Sequence, residues 1–295
     1  MQETGRISPK FFPMNAVAII PARMAATRFP GKPLVELCGR PMIQWVYERA
    51  ALAKSVSRVL VATCDREILE AVQSFGGEAV MTSDKHRSGT DRIAEAAAGI
   101  DADAIVNVQG DEPLIDPATI DIAVGCLAGE LPDLPCVGAN SLPTHSGGAR
   151  AVMTSLMAPI DSETAKDPNL VKVVVDRDSY ALYFSRSPIP FLRPFGGLRA
   201  QDARGGGKPF GGASIYGHVG LYAYASDFLQ RFAAMEPTPL EKAESLEQLR
   251  ALEHGYRIRM VEMSEAPLGV DTQVDLDRVR KMIELYPSRY RYLEG

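Results

Sequence analysis

The sequence predicts an α/β protein built on a doubly wound, mostly parallel sheet. Four short runs rich in Val, Ile and Ala have the composition of strands that are buried on both faces. These runs are residues 16–20, 58–62, 78–81 and 104–108. Segments with the apolar period of a helix lie between them, at residues 42–53, 66–75 and 90–98. Because strands alternate with helices, we expect parallel pairing with helices on both faces of the sheet.

The second half of the chain predicts a smaller antiparallel region joined to this sheet. Further strands are predicted at residues 151–157, 171–175, 180–185, 219–224 and 257–263. Further helices are predicted at residues 240–254 and 274–285, and one begins near Pro117. Segments rich in Pro or Gly, at residues 129–148 and 205–212, are predicted to be surface loops. The middle region, about residues 165–225, is expected to form a lid or an oligomer contact.

Composition limits both the location and the partners of the protein. Its 295 residues are 46% hydrophobic and 23% charged, which is typical of a folded globular chain. A net charge of −5 disfavours nucleic acid and anionic membranes as partners. Residues 1–15 are mixed and polar, which indicates a flexible tail and not a secretory signal. Four cysteines without CxxC spacing indicate buried thiols in a reducing compartment, so we expect a cytoplasmic protein without membrane spans.

The loop after the first predicted strand concentrates positive charge. Arg23, Arg28 and Lys32 lie within one short connection, which prolines stiffen and in which Gly31 allows close approach to the backbone. Such a loop suits a polyphosphate, although three solvated surface charges would be the simpler interpretation. The glycine motifs of P-loops and of dinucleotide folds are both missing from the sequence. The loop therefore predicts a phosphate site of another kind.

Two aspartates that follow predicted strands are candidate magnesium ligands. Asp111 comes directly after a buried strand, where a carboxylate faces the ligand crevice of a parallel sheet. Asp271 follows a later strand and a tight turn. Carboxylate oxygens suit Mg²⁺ that is held against phosphate oxygens. Capping a helix is the alternative for each residue: Asp116 fits that role better than Asp111, whereas for Asp271 both roles stay open.

Three further features are open between a structural and a binding role. Ser88 and Thr90 precede a helix, so they can cap it, read a ligand, or do both. Glu247 and Gln248 fall on a predicted helix, where the expected position is a solvated face. His218 precedes an aromatic strand as a lone histidine, which favours a structural role.

Several motifs, in order, resemble those of the 3-deoxy-manno-octulosonate (Kdo) cytidylyltransferases. They are IPAR at residues 20–23, TRFPGKPL at 27–34, SGTDR at 88–92, NVQGDEP at 107–113, PNLVKVV at 168–174, YFSR at 183–186, HVGLY at 218–222, LEQLR at 246–250 and VDT at 270–272. The resemblance covers about residues 16–283, so a coincidence of short motifs is excluded. It makes residues 16–295 one cytidylyltransferase domain with a Rossmann-like nucleotidyltransferase fold.

The resemblance implies that a cytidylyl group passes from CTP to Kdo, giving CMP-Kdo and pyrophosphate for lipopolysaccharide synthesis. It implies Mg²⁺ as cofactor and a homodimer formed near residues 165–225, which also bind the sugar. The residues it implies for the nucleotide are Arg23, Thr27, Arg28 and Lys32 at the triphosphate and Ser88, Gly89, Thr90 and Gln109 at the cytidine. Those implied for the sugar are Arg186, His218, Tyr222, Glu247 and Gln248, while Asp111 and Asp271 hold the metal and, with Arg23 and Lys32, serve catalysis.

The chain also departs from the family pattern at two positions. Ala26 replaces the usual serine of the phosphate loop, and Cys64 replaces a usual aspartate. Alternatives are an enzyme for another acid sugar, such as amino-substituted Kdo or sialic acid, and a non-catalytic nucleotide-sugar-binding protein. Sialic-acid enzymes usually continue IPAR with Gly-Ser-Lys, which this sequence lacks, and a non-catalytic protein would be expected to lose Lys32 or a metal carboxylate.

Overall fold

The computed structural model describes residues 14–25, 29–129, 151–192 and 214–290. The strands in these ranges are β1 (Ala16–Ala22), β2 (Glu36–Leu37), β3 (Arg40–Pro41), β4 (Val56–Thr63), β5 (Ala79–Met81), β6 (Ala104–Asn107), β7 (Met153–Ile160), β8 (Lys172–Val175), β9 (Ala181–Ser185), β10 (Ile215–Ala225) and β11 (Ile258–Glu262). The helices are α1 (Met42–Ala51), α2 (Arg66–Ser74), α3 (Gly89–Ala97), α4 (Pro117–Ala128), α5 (Ser226–Ala233), α6 (Pro239–Glu244), α7 (Gln248–Glu253), α8 (Gln273–Leu285) and α9 (Pro287–Tyr290).

The central sheet has the strand order β11-β7-β10-β6-β1-β4-β5. β1 pairs in parallel with β4 and β6, β4 with β5, and β7 with β11. β10 runs antiparallel to both of its neighbours, β6 and β7. Within this path one strand opposes the other six, so the predicted mostly parallel α/β class is confirmed.

An antiparallel extension leaves the sheet through β10. The register between β10 and β7 shifts between Val219 and Tyr222, which is a β-bulge at Gly220 and Leu221. The part of β10 before the bulge pairs with β8, which in turn pairs with β9. The antiparallel arrangement predicted for the middle region is therefore confirmed. Its role as a lid or an oligomer contact stays a prediction.

β1 shows why the strands are continuously apolar. Its alternate side chains enter two separate cores: Ala18 and Ile20 pack on one face of the sheet, Val17 and Ile19 on the other. Helices α1, α2 and α4 cover the first face, while α3, α5 and α7 cover the second. A strand with a helix layer on both faces has no side that polar residues could occupy, which accounts for the pattern in the sequence.

The structure corrects several predicted elements. The single helix expected over residues 240–254 is two helices, α6 and α7, because Ser245 takes a left-handed conformation with φ 53°. Helix α5 is missing from the prediction, although Phe228, Leu229 and Phe232 supply a helical apolar period there. The two-residue strands β2 and β3 are too short to leave a periodic signal.

The predicted flexible tail and buried thiols need smaller corrections. Asn15 belongs to the folded part, because its backbone N–H donates to Asp103 Oδ2 at 2.8 Å. Cys126 is buried and forms no disulfide, as expected, but Cys38 and Cys64 are partly exposed. The loops predicted at residues 129–148 and 205–212, and also Cys136, lie outside the described residues apart from Gly129. In the part of the chain that is described, no helix has the length and apolar character needed to cross a membrane.

Candidate active site

Three loops meet at the carboxyl ends of the parallel strands, and Pro21 is their common contact. A Cβ added to Gly110 would lie 3.2 Å from the Pro21 carbonyl oxygen, and one added to Gly89 would lie 3.4 Å from the Pro21 ring. Glycine at position 110 therefore lets the loop after β6 pack closely against the end of β1. This packing places the motifs at residues 20–23, 88–92 and 107–113 around one crevice.

Lys32 joins the two candidate metal ligands. Its Nζ donates to Asp111 Oδ2 at 2.8 Å and to Asp271 Oδ1 at 3.2 Å, so the two carboxylate oxygens are at most about 6 Å apart, the sum of the two distances. The third acceptor is the carbonyl oxygen of Val270, at 2.9 Å. The side chains of Asp111 and Asp271 are 36% and 56% exposed, so both remain accessible to a ligand. Two aspartates 160 positions apart in the sequence thus converge on one ammonium group.

The helix-cap alternative does not hold for either aspartate. The N-cap of α4 is Asp116, whose carboxylate accepts the N–H of Ala118 at 3.0 Å. The N-cap of α8 is Thr272, in a reciprocal capping box with Asp275. Neither Asp111 nor Asp271 is therefore used as a helix cap, which is compatible with the predicted ion-binding role.

The phosphate loop is described at its two ends. Arg23 is exposed directly after β1, and the Gly31 N–H donates to the Met24 carbonyl at 3.1 Å, which closes the loop. Gly31 has φ 72°, a left-handed conformation that favours glycine, and it precedes the 3-10 turn Lys32–Leu34. Thr27 and Arg28, which are predicted triphosphate ligands, and also Ala26, lie outside the described residues.

Glu247, at the start of α7, is hydrogen-bonded to the start of α3. Its carboxylate accepts hydrogen bonds from Ser88 Oγ and Thr90 Oγ1, both at 3.0 Å. Ser88 also caps α3 by accepting the Asp91 N–H, so its structural role is confirmed, while its predicted contact with the nucleotide stays a prediction. Burial raises the pKa of the Glu247 carboxyl, although the two hydroxyl donors oppose that rise.

The prediction that residues 247 and 248 lie on a solvated helix face is wrong. Gln248 is only 4% exposed, and Glu247 is partly buried. The physical reason is that the predicted single helix breaks at Ser245, and the short α7 that follows is buried at four successive positions, Gln248 to Ala251, so it has no solvated face there.

Gln109 ties the loop after β6 to the β-bulge of β10. Its Nε2 donates to the Gly220 carbonyl at 2.7 Å and to Asn107 Oδ1 at 3.3 Å. The bulge thus gives the side-chain amide a backbone acceptor that a regular strand would use for pairing. Gln109 lies between the nucleotide motifs and the antiparallel extension, and its predicted contact with cytidine stays a prediction.

His218 and Tyr222 form an uncharged aromatic wall. The His218 ring packs between Phe184 and Tyr222, with centroid distances of 5.1 and 5.4 Å, and its Nε2 is 2.9 Å from Ser155 Oγ. Burial lowers the pKa of His218 to about 3 and raises the pKa of Tyr222 above its ordinary value. Near neutral pH both side chains are therefore neutral hydrogen-bonding groups and do not supply charge.

The lowered pKa of His218 gives a stability prediction. Above pH 6.5 the imidazole is neutral in both the folded and the unfolded chain, but between pH 6.5 and about 3 only the unfolded chain takes up the proton. The free energy of unfolding therefore falls as the pH falls through this window. We expect His218→Asn to reduce that slope by up to about 1.4 kcal/mol per pH unit, measured by urea unfolding between pH 7 and 4.5. Parallel curves for the two proteins would contradict this assignment.

Arg186 is occupied by the protein backbone. Each nitrogen of its guanidinium has an acceptor, and these are the carbonyl oxygens of Glu244 (2.8 Å), Pro168 (3.0 Å) and Ser245 (3.3 Å). The Glu244 carboxylate in turn accepts Ser185 Oγ at 2.7 Å and the Arg186 N–H at 2.9 Å. Arg186 thus clamps the end of β9 to the break between α6 and α7. This clamp helps to set the position of Glu247, which follows the break. Its predicted contact with the sugar stays a prediction.

Sequence reasoning gave no role to three charged residues near the site. Lys172, Asp65 and Glu244 each bind backbone groups of loops that carry site residues. Lys172 stands inside a motif, PNLVKVV, but no feature of that motif says which carbonyls it would bind. The signal for Asp65 is its position two residues after the end of β4, at the same edge of the sheet as Asp111.

Comparison with known proteins agrees with this geometry. A family model described as cytidylyltransferase matches residues 17–258. A 3-deoxy-manno-octulosonate cytidylyltransferase of Geobacter metallireducens is 52% identical, over 90% of this chain and 96% of that protein. The chain belongs to the Kdo cytidylyltransferase family. The enzyme of the same name from Geobacter sulfurreducens is 49% identical, over 92% of this chain and 100% of its own.

A solved structure supports the same assignment. It is titled as a CMP:2-keto-3-deoxy-manno-octonic acid synthetase complexed with CTP and has 39% identity and a TM-score of 0.76, covering 92% of this chain and 99% of its own. The resemblance seen in the motifs is thereby confirmed, and so is the nucleotidyltransferase fold. This cytidylyltransferase carries Lys32, Asp111 and Asp271 together at the edge of its parallel sheet.

Proposed function

We propose that this cytidylyltransferase transfers the cytidylyl group of CTP to Kdo and releases pyrophosphate. The observation that carries the proposal is the convergence of Asp111 and Asp271 on Lys32, in a crevice that the nucleotide motifs surround. CTP and Kdo as substrates are supported by the names of the relatives and by the CTP bound to the similar structure. The presence of both carboxylates and of the lysine argues against a non-catalytic binding protein.

Mg²⁺ fits the two aspartates. Among the described residues, no group of three or more His, Cys, Asp or Glu side chains could hold a metal ion. Mg²⁺ does not need such a group, because it commonly takes one or two carboxylates and completes its octahedron with water and phosphate oxygens. Asp111 and Asp271, about 6 Å apart or less and accessible to solvent, supply that number of ligands. When bound there, Mg²⁺ would neutralise phosphate charge and lower the pKa of the attacking sugar hydroxyl.

The other contributions to catalysis would come from side chains that bind and orient the substrates. Arg23 and Lys32 would hold the triphosphate and stabilise the charge that develops on the leaving pyrophosphate. The backbone N–H groups at the start of α3, beside Ser88 and Gly89, lie at a helix N-terminus, which favours a polar ligand. The neutral His218 and Tyr222 side chains would orient sugar hydroxyls, and Glu247 would keep Ser88 and Thr90 in place. Orientation and electrostatics would therefore dominate the rate.

The proposal includes a homodimer in the cytoplasm. Large apolar side chains are exposed within the region predicted for dimerisation, since Leu182 is 61% and Phe191 is 87% exposed. Exposed apolar side chains close to one another in a chain favour an interface with a second protein surface. The reducing environment of the cytoplasm also suits four cysteines that lack CxxC spacing.

The deciding experiment is a pyrophosphate-release assay with CTP, Mg²⁺ and a panel of sugar acids. We expect release with Kdo, formation of CMP-Kdo, and loss of both when Mg²⁺ is chelated. The panel includes amino-substituted Kdo and a sialic acid as competitors of Kdo. If one of these sugar acids caused release and Kdo did not, that sugar acid would replace Kdo as the proposed substrate. If no sugar acid caused release, the proposed activity would be overturned.

A further inference from the structure

Asp65 has the position of a helix cap but a different contact. It is the N-cap residue of α2, yet its side chain makes no capping hydrogen bond with that helix. An aspartate at an N-cap usually accepts an N–H from the first turn of its own helix. The Asp65 carboxylate instead accepts the backbone N–H of Met24, at 2.7 Å, across 41 positions of sequence. The chain thus gives up a local cap for a contact with the phosphate loop.

Met24 is the residue through which this contact acts. Met24 follows Arg23, the first cation of the loop. Its carbonyl accepts the N–H of Gly31, the residue directly before Lys32. The N–H of Met24 is fixed by Asp65, and its carbonyl by Gly31. Since both backbone groups of one residue are held, the base of the loop has a defined orientation relative to β4 and α2. Arg23 and Lys32 both leave from that base.

The neighbouring Cys64 is consistent with this arrangement. Its thiol lies 3.7 Å from the same carboxylate oxygen, within reach of a weak sulfur hydrogen bond. The Asp65 N–H donates to Thr63 Oγ1 at 3.0 Å, which holds the end of β4 in shape. An aspartate at Cys64, as the family usually has, would place a second negative charge beside Asp65. The thiol adds a donor there and no charge.

We propose that Asp65 is a positioning residue that anchors the triphosphate loop through the Met24 N–H. A carboxylate near a triphosphate is unfavourable by charge alone, so the contact must act through geometry. Loss of the acceptor should free the base of the loop and weaken the hold on CTP. The sugar half of the crevice, on β10 and α7, should be unaffected. This inference rests on the proposed use of CTP.

The kinetic test compares Asp65→Ala with Asp65→Asn. We expect Asp65→Ala to raise KM for CTP about tenfold or more, the effect of losing one hydrogen bond to a charged group, while KM for Kdo stays within about twofold. Asp65→Asn keeps an oxygen acceptor and removes the charge, so it should restore most of the affinity for CTP. Glu67→Ala is the matched control, because it removes an exposed acidic residue from the first turn of α2.

Two kinetic results would overturn the proposal. One is a KM for CTP in folded Asp65→Ala that equals that of wild type and Glu67→Ala. The other is an Asp65→Asn variant as impaired as Asp65→Ala. A merely structural role for Asp65 would lower the melting temperature and move both KM values together.

Hydrogen exchange tests the anchor without any assay of activity. In the wild-type protein, we expect the Met24 amide to be protected, and we expect Asp65→Ala to lose that protection while α2 keeps its own. An unprotected Met24 amide in wild type would overturn the anchor even if Asp65→Ala failed to fold. A wild type with a protected Met24 but no pyrophosphate release would instead overturn the proposed function and leave the anchor standing.

Discussion

Asp111→Asn is expected to lower the turnover of pyrophosphate release about a hundredfold or more, with little change in the free energy of unfolding. Asparagine keeps the shape of the side chain but removes the charge that would bind Mg²⁺ and pair with Lys32. The side chain is partly exposed, so its ion pair with Lys32 contributes little to stability. Asp271→Asn should act in the same direction. The measurements are kcat at saturating CTP and Kdo over a series of Mg²⁺ concentrations, and the melting temperature.

Asp116→Asn is the matched control for this pair. Asp116 lies five residues after Asp111 and caps α4, and asparagine caps a helix about as well as aspartate. We therefore expect wild-type turnover and stability from Asp116→Asn. If Asp111→Asn and Asp271→Asn behaved like this control at every Mg²⁺ concentration, neither aspartate would be a metal ligand.

The largest effect on stability is expected for Lys172→Met. Lys172 is fully buried, and its ammonium donates to three backbone carbonyls. They belong to Asp167 (2.8 Å), Leu170 (2.6 Å) and Arg186 (2.6 Å). Burial lowers the pKa of this ammonium, yet its three acceptors keep it useful as a donor. Methionine fills similar space but leaves three partly buried carbonyls without the donor that Lys172 supplies, at a cost of about 3 kcal/mol in the free energy of unfolding.

Urea unfolding measures this loss, with Lys166→Met as the control. Lys166 is an exposed lysine six positions earlier, and its ion pair with Glu163 lies on the surface. Its substitution is expected to change the free energy of unfolding by less than about 0.5 kcal/mol. Equal effects of the two substitutions would show that the three carbonyls do not depend on Lys172. Because Lys172 also holds the carbonyl of Arg186, Lys172→Met should weaken the clamp at the α6–α7 break.

The sheet was predictable because each of its parallel strands carries a local signal. β1 and β4 were located within two residues of their ends, since strands buried on both faces need uninterrupted apolar residues. The reversed strand β10 was located only in part. Its bulge at Gly220 and Leu221 lets the strand pair with β8 before the bulge and with β6 after it. The sequence carries no periodic signal for such a change of pairing partner.

The site was predictable where a motif sits directly at a strand end. Lys32 and Asp111 could be singled out, because loops at the carboxyl ends of parallel strands face the ligand crevice. Asp271 stayed open between two roles, and the capping box of Thr272 and Asp275 excludes one of them, the helix cap. Glu247 was misjudged, since the left-handed Ser245 ends the helical period before it.

The sequence by itself determined the parallel α/β class, the family and the motifs that line the crevice, because these depend on local periodicity and on short ordered motifs. Only the tertiary structure decided which charged residues act through buried contacts. The linear pattern assigns no role to Lys172 or Asp65 and only a predicted sugar contact to Arg186, yet each binds backbone groups of other segments. A pattern of polarity reports the average exposure of a residue type, whereas a buried charge is stabilised by partners that the chain brings together only when it folds.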